Sequence, residues 1–182
     1  MSVKKFTVSL NHKIKKFNKS IEVDSDKSLS IRSFLIGSIS QNISIATNVL
    51  ESDDVKSCIS ACQKLGVKII KIKSKSYKIF GKGLGSFFAK KNLSLDLGNS
   101  GTLARLLIGI LSSTPNIEVN IKGDNSLNKR SMKKLFKLMS RFGAYFYPKN
   151  KYKFPIKMIS SELPIGINYE AGISAQLKSA VM

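Results

Sequence analysis

Residues 101–113 have the sequence GTLARLLIGILSS, a strongly apolar stretch with one charge. From about Thr102 to Leu111, apolar residues occupy nearly every face of the helix that this spacing predicts, and such a helix is normally buried. The one charged residue is Arg105. An unpaired buried guanidinium is very costly, so Arg105 requires either a carboxylate, such as that of Asp96, or a bound anion. The sequence leaves both alternatives open.

This segment is one of three related segments. Residues 28–40, SLSIRSFLIGSIS, lie about seventy residues before it, and residues 172–182, GISAQLKSAVM, begin about seventy residues after its start. In each segment a polar side chain, Arg32, Arg105 or Gln176, lies four positions after a small residue and is followed by an apolar run. A fixed period of this length indicates duplicated supersecondary units that bury their apolar faces against each other.

The regions that follow the first two segments are also alike. Residues 42–67 and 116–144 each predict a strand, a turn and an amphipathic helix, which ends at Gly66 in the first copy and at Gly143 in the second. Two short strand-like stretches follow each helix. The third copy reaches Met182 within its first helix, so the sequence predicts an α/β chain with two nearly complete units and a truncated third.

Arginine usage points to anionic ligands. Of the 31 basic residues 27 are Lys and 4 are Arg, and three of the arginines, Arg32, Arg105 and Arg130, are predicted at helix starts. Arg offers phosphate or carboxylate a planar bidentate fork that Lys cannot copy, so arginine is expected to persist where that geometry matters. Arg141 is the exception and is predicted to lie on the surface.

The first repeat helix carries cations where a helix alone does not favour them. Lys27 and Ser28 fall in its first turn, after N-cap candidates at positions 24–26, and Ser28 shares a face with Arg32. A helix N-terminus attracts anions, so a Lys in the first turn indicates a bound ligand. The alternative is a solvated Lys27 beside a surface Arg32.

The turn before the second repeat helix has the sequence LDLGNSGT, residues 95–102, and predicts a strand followed by a turn and a helix. Gly98 and Gly101 allow unusual backbone angles and close approach of a ligand. No Gly-Lys-Ser/Thr follows, so the turn is not a Walker loop; nor is GKGLG at residues 81–85, which we predict to be an ordinary loop.

The net charge of +20 indicates nucleic acid and membrane surfaces as alternative partners. Lysine is abundant throughout, however, and the short basic clusters at residues 13–19 and 149–153 are not interleaved with stacking aromatics. Cys58 and Cys62 have the spacing of small core residues, and a metal site would need ligands beyond His12, which is distant in the sequence. With no secretory signal or membrane-span pattern, we expect a cytoplasmic protein that binds neither nucleic acid nor membrane.

Four segments carry a family resemblance. The chain resembles EPSP synthases in the first substrate motif, the glycine-rich phosphoenolpyruvate motif, the helix motif that follows and the third substrate motif. They are DKSLSIRSFLIGSIS at 26–40, LGNSGTLARLLIGIL at 97–111, GDNSLNKRSMKKLFKLMSRFGA at 123–144 and ISAQLKSA at 173–180. The resemblance covers about residues 20–182 and implies the α/β enolpyruvyl-transferase fold, an inside-out α/β barrel whose two domains each contain three βαβαββ units.

The resemblance also implies a domain division and an activity. Residues 1–24 would form a strand of the other domain, and 25–182 an incomplete first domain with units at about 25–90 and 91–160 and a third from 161. The family transfers the enolpyruvyl group of phosphoenolpyruvate to the 5-hydroxyl of shikimate 3-phosphate and releases phosphate, without metal or organic cofactor. We expect a monomer at full length. Glyphosate competes with phosphoenolpyruvate in this family, and Gly101 would leave room for it.

The resemblance assigns roles residue by residue. The shikimate 3-phosphate site would contain Lys27, Ser28, Arg32, Ser174, Ala175 and Gln176. The phosphoenolpyruvate site would contain Lys27, Asn99, Gly101, Arg130 and Gln176. Thr102 and Arg105 would support the glycine-rich turn. Ala175 occupies a position where some members have serine. Leu106 occupies a position that is proline in many members, which predicts a helix start that differs from theirs.

Three other functions are weighed against this one. UDP-N-acetylglucosamine enolpyruvyl transferases resemble the chain but usually have Lys-Asn at the Lys27-Ser28 position and lack the pattern of residues 174–176. The other two are a basic nucleic-acid-binding module and a non-catalytic remnant. The family's catalytic acid and base residues lie beyond Met182, so residues 1–182 alone are expected to be inactive.

Overall fold

The fold was analysed in a computed structural model, which describes residues 23–170 and 172–182 together with residues 9, 11, 18 and 20. The N-terminal strand predicted over residues 1–24 lies almost entirely outside the described residues. The helices are α1 Lys27–Ile39, α2 Asp53–Lys64, α3 Gly101–Ser113, α4 Asn125–Lys129, α5 Lys133–Arg141 and α6 Ala175–Val181. The strands are β1 Ile43–Ala46, β2 Lys68–Lys73, β3 Ser76–Phe80, β4 Ser94–Asp96, β5 Glu118–Lys122, β6 Tyr145–Tyr147 and β7 Ile156–Ile159.

The strands form two sheets that share one topology. The first sheet has the order β1-β3-β2, with all pairs antiparallel. The second has the order β4-β5-β7-β6, in which β4 and β5 are parallel and the other pairs are antiparallel. Strands β5, β7 and β6 therefore repeat the arrangement of β1, β3 and β2. The sequence repeat is thus also a repeat of strand order.

The second repeat helix, α3, occupies the interior. Helix α3 is buried along nearly its whole length, including Leu103, Leu107 and Ile108, as its all-round apolar sequence predicts. Helix α6 packs closely on it: a Cβ added to Gly109 would overlap the backbone of Ala180. Glycine at this position lets the two helix backbones approach each other.

The flanking helices are amphipathic. Helix α2 buries Val55, Ala61 and both cysteines, Cys58 and Cys62, which confirms the prediction that the thiols are core residues. Within residues 23–170 and 172–182, no three His, Cys, Asp or Glu side chains are grouped so that they could hold a metal ion. None of the helices found there is long and apolar enough to cross a membrane.

The amphipathic helix predicted after β5 is present as α5, but the turn before it contains a short helix, α4, that was not predicted. Helix α4 ends at Lys129, and Arg130 adopts extended backbone angles. The amide of Met132 then donates to the carbonyl oxygen of Tyr152 at 2.8 Å, and the Met132 side chain is buried. This tertiary hydrogen bond replaces a helical one, so the chain turns before α5 begins.

Candidate functional site

The three repeat helices begin in the same way. The Asp26 carboxylate caps α1, the Ser100 hydroxyl caps α3 and the Ser174 hydroxyl caps α6, each accepting a hydrogen bond from the amide three residues later. None of the three helices has an acidic residue in its first turn. The positive end of α1 already faces the Asp26 carboxylate, whereas α3 is capped by the neutral Ser100, so the start of α3 favours additional negative charge nearby.

Two arginines meet at the turn before α3. Arg130 donates from Nη2 to the Asn99 Oδ1 at 2.7 Å, and Arg105 donates from Nη1 to the Gly101 carbonyl oxygen at 2.9 Å. A Cβ placed on Gly101 would lie 2.9 Å from the Arg105 Nη1 and 3.1 Å from the Arg130 Nη1. Both guanidinium groups thus lie against Gly101, a residue of the turn that has no side chain.

The charges at this turn are not balanced. Burial lowers the pKa of Arg105, and the nearby charge of Arg130 lowers this pKa further. The predicted alternative of a salt bridge between Arg105 and Asp96 is wrong. Asp96 instead pairs with Lys122 at 3.4 Å. Across the part of the chain that the structure describes, neither arginine has a carboxylate within salt-bridge distance. The arrangement is suited to an anion that accepts from both groups.

The structure corrects the predicted position of Arg130. It does not lie at a helix start but follows α4 as its C-cap, three residues before α5. Its guanidinium is also within 3.4 Å of the Ser126 hydroxyl, on the preceding helical turn. Because α4 ends here, the Arg130 side chain reaches across to the turn that contains Asn99.

Helix α6 brings its predicted residues to the same turn. Gln176 donates from Nε2 to the Thr102 Oγ1 at 3.1 Å, which joins the starts of α6 and α3. The Ser174 hydroxyl caps α6, and Ala175 is the first residue of that helix. Helix α3 begins at Gly101, five residues before Leu106.

Helix α1 contributes a cation through an ion pair. The Lys27 Nζ lies 2.9 Å from the Asp54 Oδ2, and the Asp54 side chain is only 17% exposed. Lys27 is therefore neither free nor simply solvated. Ser28 is half-buried beside it, and Arg32 donates from Nη2 to the Ser179 hydroxyl at 3.3 Å, which links α1 to α6.

Helix α2 connects the Lys27 pair to the turn before α3. Ser57 lies one helical turn after Asp54, and a Cβ on Gly98 would be 2.8 Å from the Ser57 Oγ. Sequence reasoning missed Asp54 and Ser57. An acid in the first turn of a helix is already explained by the helix dipole, so no local signal marked Asp54 as the partner of Lys27. The residues connected in this way are called the candidate site: Lys27, Asp54, Ser57, Gly98, Asn99, Gly101, Thr102, Arg105, Arg130 and Gln176.

An apolar cavity lies apart from these residues. It has a volume of about 410 Å³ and lies between α1, α3 and α6, where its wall includes Leu35, Leu106 and Ile110. Of the predicted site residues only Arg32 lines it. Its apolar wall is unsuited to phosphorylated ligands, so the cavity is not part of the candidate site.

Comparison with known proteins identifies relatives of this fold and site. The model of the family described as EPSP synthase (3-phosphoshikimate 1-carboxyvinyltransferase) matches residues 11–182. The 3-phosphoshikimate 1-carboxyvinyltransferase of Leptospira interrogans is 39% identical over 172 residues, which is 93% of this chain and 39% of that protein. The same enzyme of Paramagnetospirillum magneticum is 35% identical over 164 residues, 90% of this chain and 36% of that protein.

A solved structure agrees with the fold that the resemblance implied. The EPSP synthase from Acinetobacter baumannii superposes with a TM-score of 0.80 at 33% identity, over 88% of this chain and 36% of that one. The α/β enolpyruvyl-transferase fold is therefore confirmed. The chain spans well under half the length of the relatives that it matches. By its sequence and by its fold, the chain belongs to the EPSP synthase family.

Proposed function

We propose that the candidate site is part of an enzyme that transfers the enolpyruvyl group of phosphoenolpyruvate to the 5-hydroxyl of shikimate 3-phosphate, a step of aromatic amino acid biosynthesis. One observation carries the proposal: Arg105 and Arg130 lie against Gly101, and their described surroundings include no carboxylate that pairs with them. Two guanidinium groups in this arrangement favour a small, multiply charged anion.

Phosphoenolpyruvate is assigned to the turn before α3. Arg130 supplies the fork for its phosphate or carboxylate, while Asn99 holds the guanidinium in place at 2.7 Å. Gly101 lets the ligand approach the backbone because it has no side chain. Arg105 supports the turn through the Gly101 carbonyl and adds positive charge. Thr102 orients the Gln176 amide, which we assign to both substrates.

Shikimate 3-phosphate is assigned to the starts of α1 and α6. Ser28 and Arg32 lie one turn apart on α1, and Arg32 already contacts α6 at Ser179. Ser174 and Ala175 begin α6, where the short alanine side chain leaves the helix start open. Lys27, which its ion pair with Asp54 holds at the start of α1, is assigned to both substrates.

The reaction places charge where these residues can stabilise it. Protonation of the phosphoenolpyruvate methylene carbon creates positive charge at the neighbouring carbon, and the 5-hydroxyl attacks that carbon and loses its proton. The tetrahedral intermediate then loses a proton from the new methyl group as phosphate leaves, which restores the carbon–carbon double bond. The leaving phosphate gains negative charge as its C–O bond breaks. Arg130 and Lys27 are therefore assigned to stabilise the leaving group, which is favoured by donors that are already in place.

The proposal concerns an enzyme longer than residues 1–182. The curated relatives extend well beyond the matched region, since the match covers 36% to 40% of their length. The acid and base residues expected from the family lie outside these residues. We therefore propose that residues 1–182 by themselves show no turnover. We also propose a cytoplasmic location, which the two free buried thiols support, and a monomeric state at full length.

Phosphate release from phosphoenolpyruvate, measured with the longest chain that the gene encodes, tests the activity. Turnover is expected with shikimate 3-phosphate and not with unphosphorylated shikimate or with UDP-N-acetylglucosamine. Arg130→Lys keeps the charge but loses the fork, so kcat/KM is expected to fall about 100-fold. Arg141→Lys is the matched control on an exposed helix end and is expected to leave kcat/KM unchanged. Preference for UDP-N-acetylglucosamine would overturn the assignment.

A further inference from the structure

The outer face of the first sheet is apolar and exposed. Four isoleucines on β1 and β2 point away from the core, with exposed fractions of 50% for Ile43, 64% for Ile45, 42% for Ile70 and 53% for Ile72. Backbone pairing places Ile43 beside Phe80 of β3. Isolated exposed isoleucines are common, but a contiguous set on one sheet face is typical of an interaction surface.

The same face is positively charged. Lys78 lies between Ile45 and Ile70 in the sheet register, and Lys68 lies beside Phe80. Both ammonium groups lie over the Phe80 ring, at 5.5 Å and 5.0 Å from its centroid. None of the three strands contains Asp or Glu. We call this set the Ile/Lys face: Ile43, Ile45, Lys68, Ile70, Ile72, Lys78 and Phe80.

The second sheet provides an internal comparison, because its strands β5, β7 and β6 repeat the same topology. Its outer face carries balanced charges: Lys157 pairs with Glu118 at 2.7 Å, and Lys122 pairs with Asp96 at 3.4 Å. Two sheets of one architecture thus differ in the chemistry of their outer faces. The fold therefore does not require the apolar and cationic character of the Ile/Lys face.

We propose that the Ile/Lys face docks an extended segment of a partner protein, in which the side chains that face the sheet are in part acidic and in part aliphatic. The aliphatic side chains would cover Ile45 and Ile70, and the carboxylates would reach Lys68 and Lys78, which pair with no acidic residue among those that the structure describes. This inference is independent of the candidate site and of the proposed reaction.

Charge separates this partner from the other candidate occupants. A second copy of the chain carries a net charge of +20 and is repelled. Residues 1–22 of the same chain are rich in lysine and carry the wrong charge as well. Nucleic acid has the right charge, but bases stack on aromatic rings, whereas this face offers isoleucines and a single Phe80 already covered by lysines.

Two synthetic peptides of equal length and charge test the proposal on the full chain at about 0.15 M salt. The Glu/Val peptide repeats Glu-Glu-Val-Val, so that each face of the extended peptide carries both residue types, and the other peptide repeats Glu-Glu-Ser-Ser. Fluorescence anisotropy is expected to show about tenfold tighter binding of the Glu/Val peptide, because burial of even one isoleucine contributes that much. Ile45→Thr combined with Ile70→Thr keeps β-branched residues in the strands and is expected to abolish the difference.

Matched variants separate docking from general attraction by charge. Tyr145→Thr with Tyr147→Thr removes two exposed apolar side chains from the second sheet and is expected to leave binding of the Glu/Val peptide unchanged. Thermal melting checks that each double variant is folded. Equal binding of the two peptides overturns the proposal. Displacement of the Glu/Val peptide by a single-stranded oligonucleotide would also overturn the proposal. A dimer of the chain that dissociates when Ile45 and Ile70 are replaced would do the same.

Discussion

Gly101 is the residue at which the two arginines of the candidate site meet. The pseudo-Cβ distances of 2.9 Å to Arg105 and 3.1 Å to Arg130 show that even a methyl group would displace a guanidinium. A side chain here would therefore act on the anion site indirectly, through the positions of its donors, as well as by filling space.

Gly101→Ala is expected to raise the KM for phosphoenolpyruvate about tenfold and to weaken glyphosate inhibition, because small displacements of positioned groups have large kinetic effects. Steady-state kinetics of the full-length enzyme measure both. Gly166→Ala is the control, since a Cβ there meets no atom within 4 Å. Unchanged inhibition in Gly101→Ala would place the phosphoenolpyruvate site elsewhere.

Asp54 is the residue that holds Lys27 in place. We expect Asp54→Asn to lower kcat/KM about tenfold, because Lys27 loses the partner that orients it. The loss of a half-exposed pair is expected to cost less than about 1 kcal/mol of stability. The neighbouring Asp53→Asn is a matched control, because the Asp53 side chain is fully solvated and pairs with Lys56. Equal kinetic effects of the two changes would contradict a positioning role for Asp54.

At the scale of elements, the loop between β1 and α2 is fixed by one carboxylate. The Glu51 Oε1 accepts from the Tyr77 hydroxyl at 2.7 Å and from the Lys75 amide at 3.2 Å, and it pairs with the Lys71 Nζ at 2.8 Å. Glu51 directly precedes the N-cap of α2, Ser52. The network therefore attaches the start of α2, and with it Asp54, to the first sheet.

This network makes stability depend on pH. The hydrogen bonds from Lys71 and Tyr77 lower the pKa of Glu51 from 4.5 to about 2. A lowered folded-state pKa contributes stability above the unfolded value, and that stability is lost as pH falls from about 4.5 toward about 2. Glu51→Gln is therefore expected to have a lower Tm than the parent above pH 4.5, with the gap closing toward pH 2. A constant Tm gap across this range would contradict the network.

At the scale of the whole molecule, the chain has a net charge of +20, because 31 Lys and Arg face only 11 Asp and Glu that could pair with them. Self-repulsion destabilises a compact chain, and salt screens it as the Debye length falls from about 30 Å at 0.01 M to about 8 Å at 0.15 M. We expect sodium chloride to raise Tm by about 3 °C over this range, which corresponds to about 1 kcal/mol.

Phosphate at the same ionic strength is expected to raise Tm further, because it also binds the candidate site in the folded state. Differential scanning fluorimetry of the parent and of Arg130→Gln separates the two effects. The chloride effect is expected in both proteins and the additional phosphate effect only in the parent. A phosphate effect that survives in Arg130→Gln would mean that phosphate acts by screening or at other lysines.

The local elements were largely predictable, because helices and strands follow from short-range periodicity and from glycine stops such as Gly66 and Gly143. The break in the chain before α5 was not predictable, because it depends on a hydrogen bond from the Met132 amide to the Tyr152 carbonyl oxygen, twenty residues away. The candidate anion site at Arg105 and Arg130 was predicted from residue type. The surroundings of the site were not predicted, because no local pattern shows that Asp96 on β4 pairs with Lys122 on the neighbouring strand β5 and not with Arg105.

The sequence alone determined the repeated unit, the buried helix α3 and the family, because these are recorded in periodic spacing and in contiguous motifs. Only the tertiary structure decided which side chains meet: Lys27 with Asp54, Arg130 with Asn99, and Gln176 with Thr102. These partners lie 27, 31 and 74 residues apart. Such contacts depend on how separate elements pack, and no local pattern of residues specifies that packing.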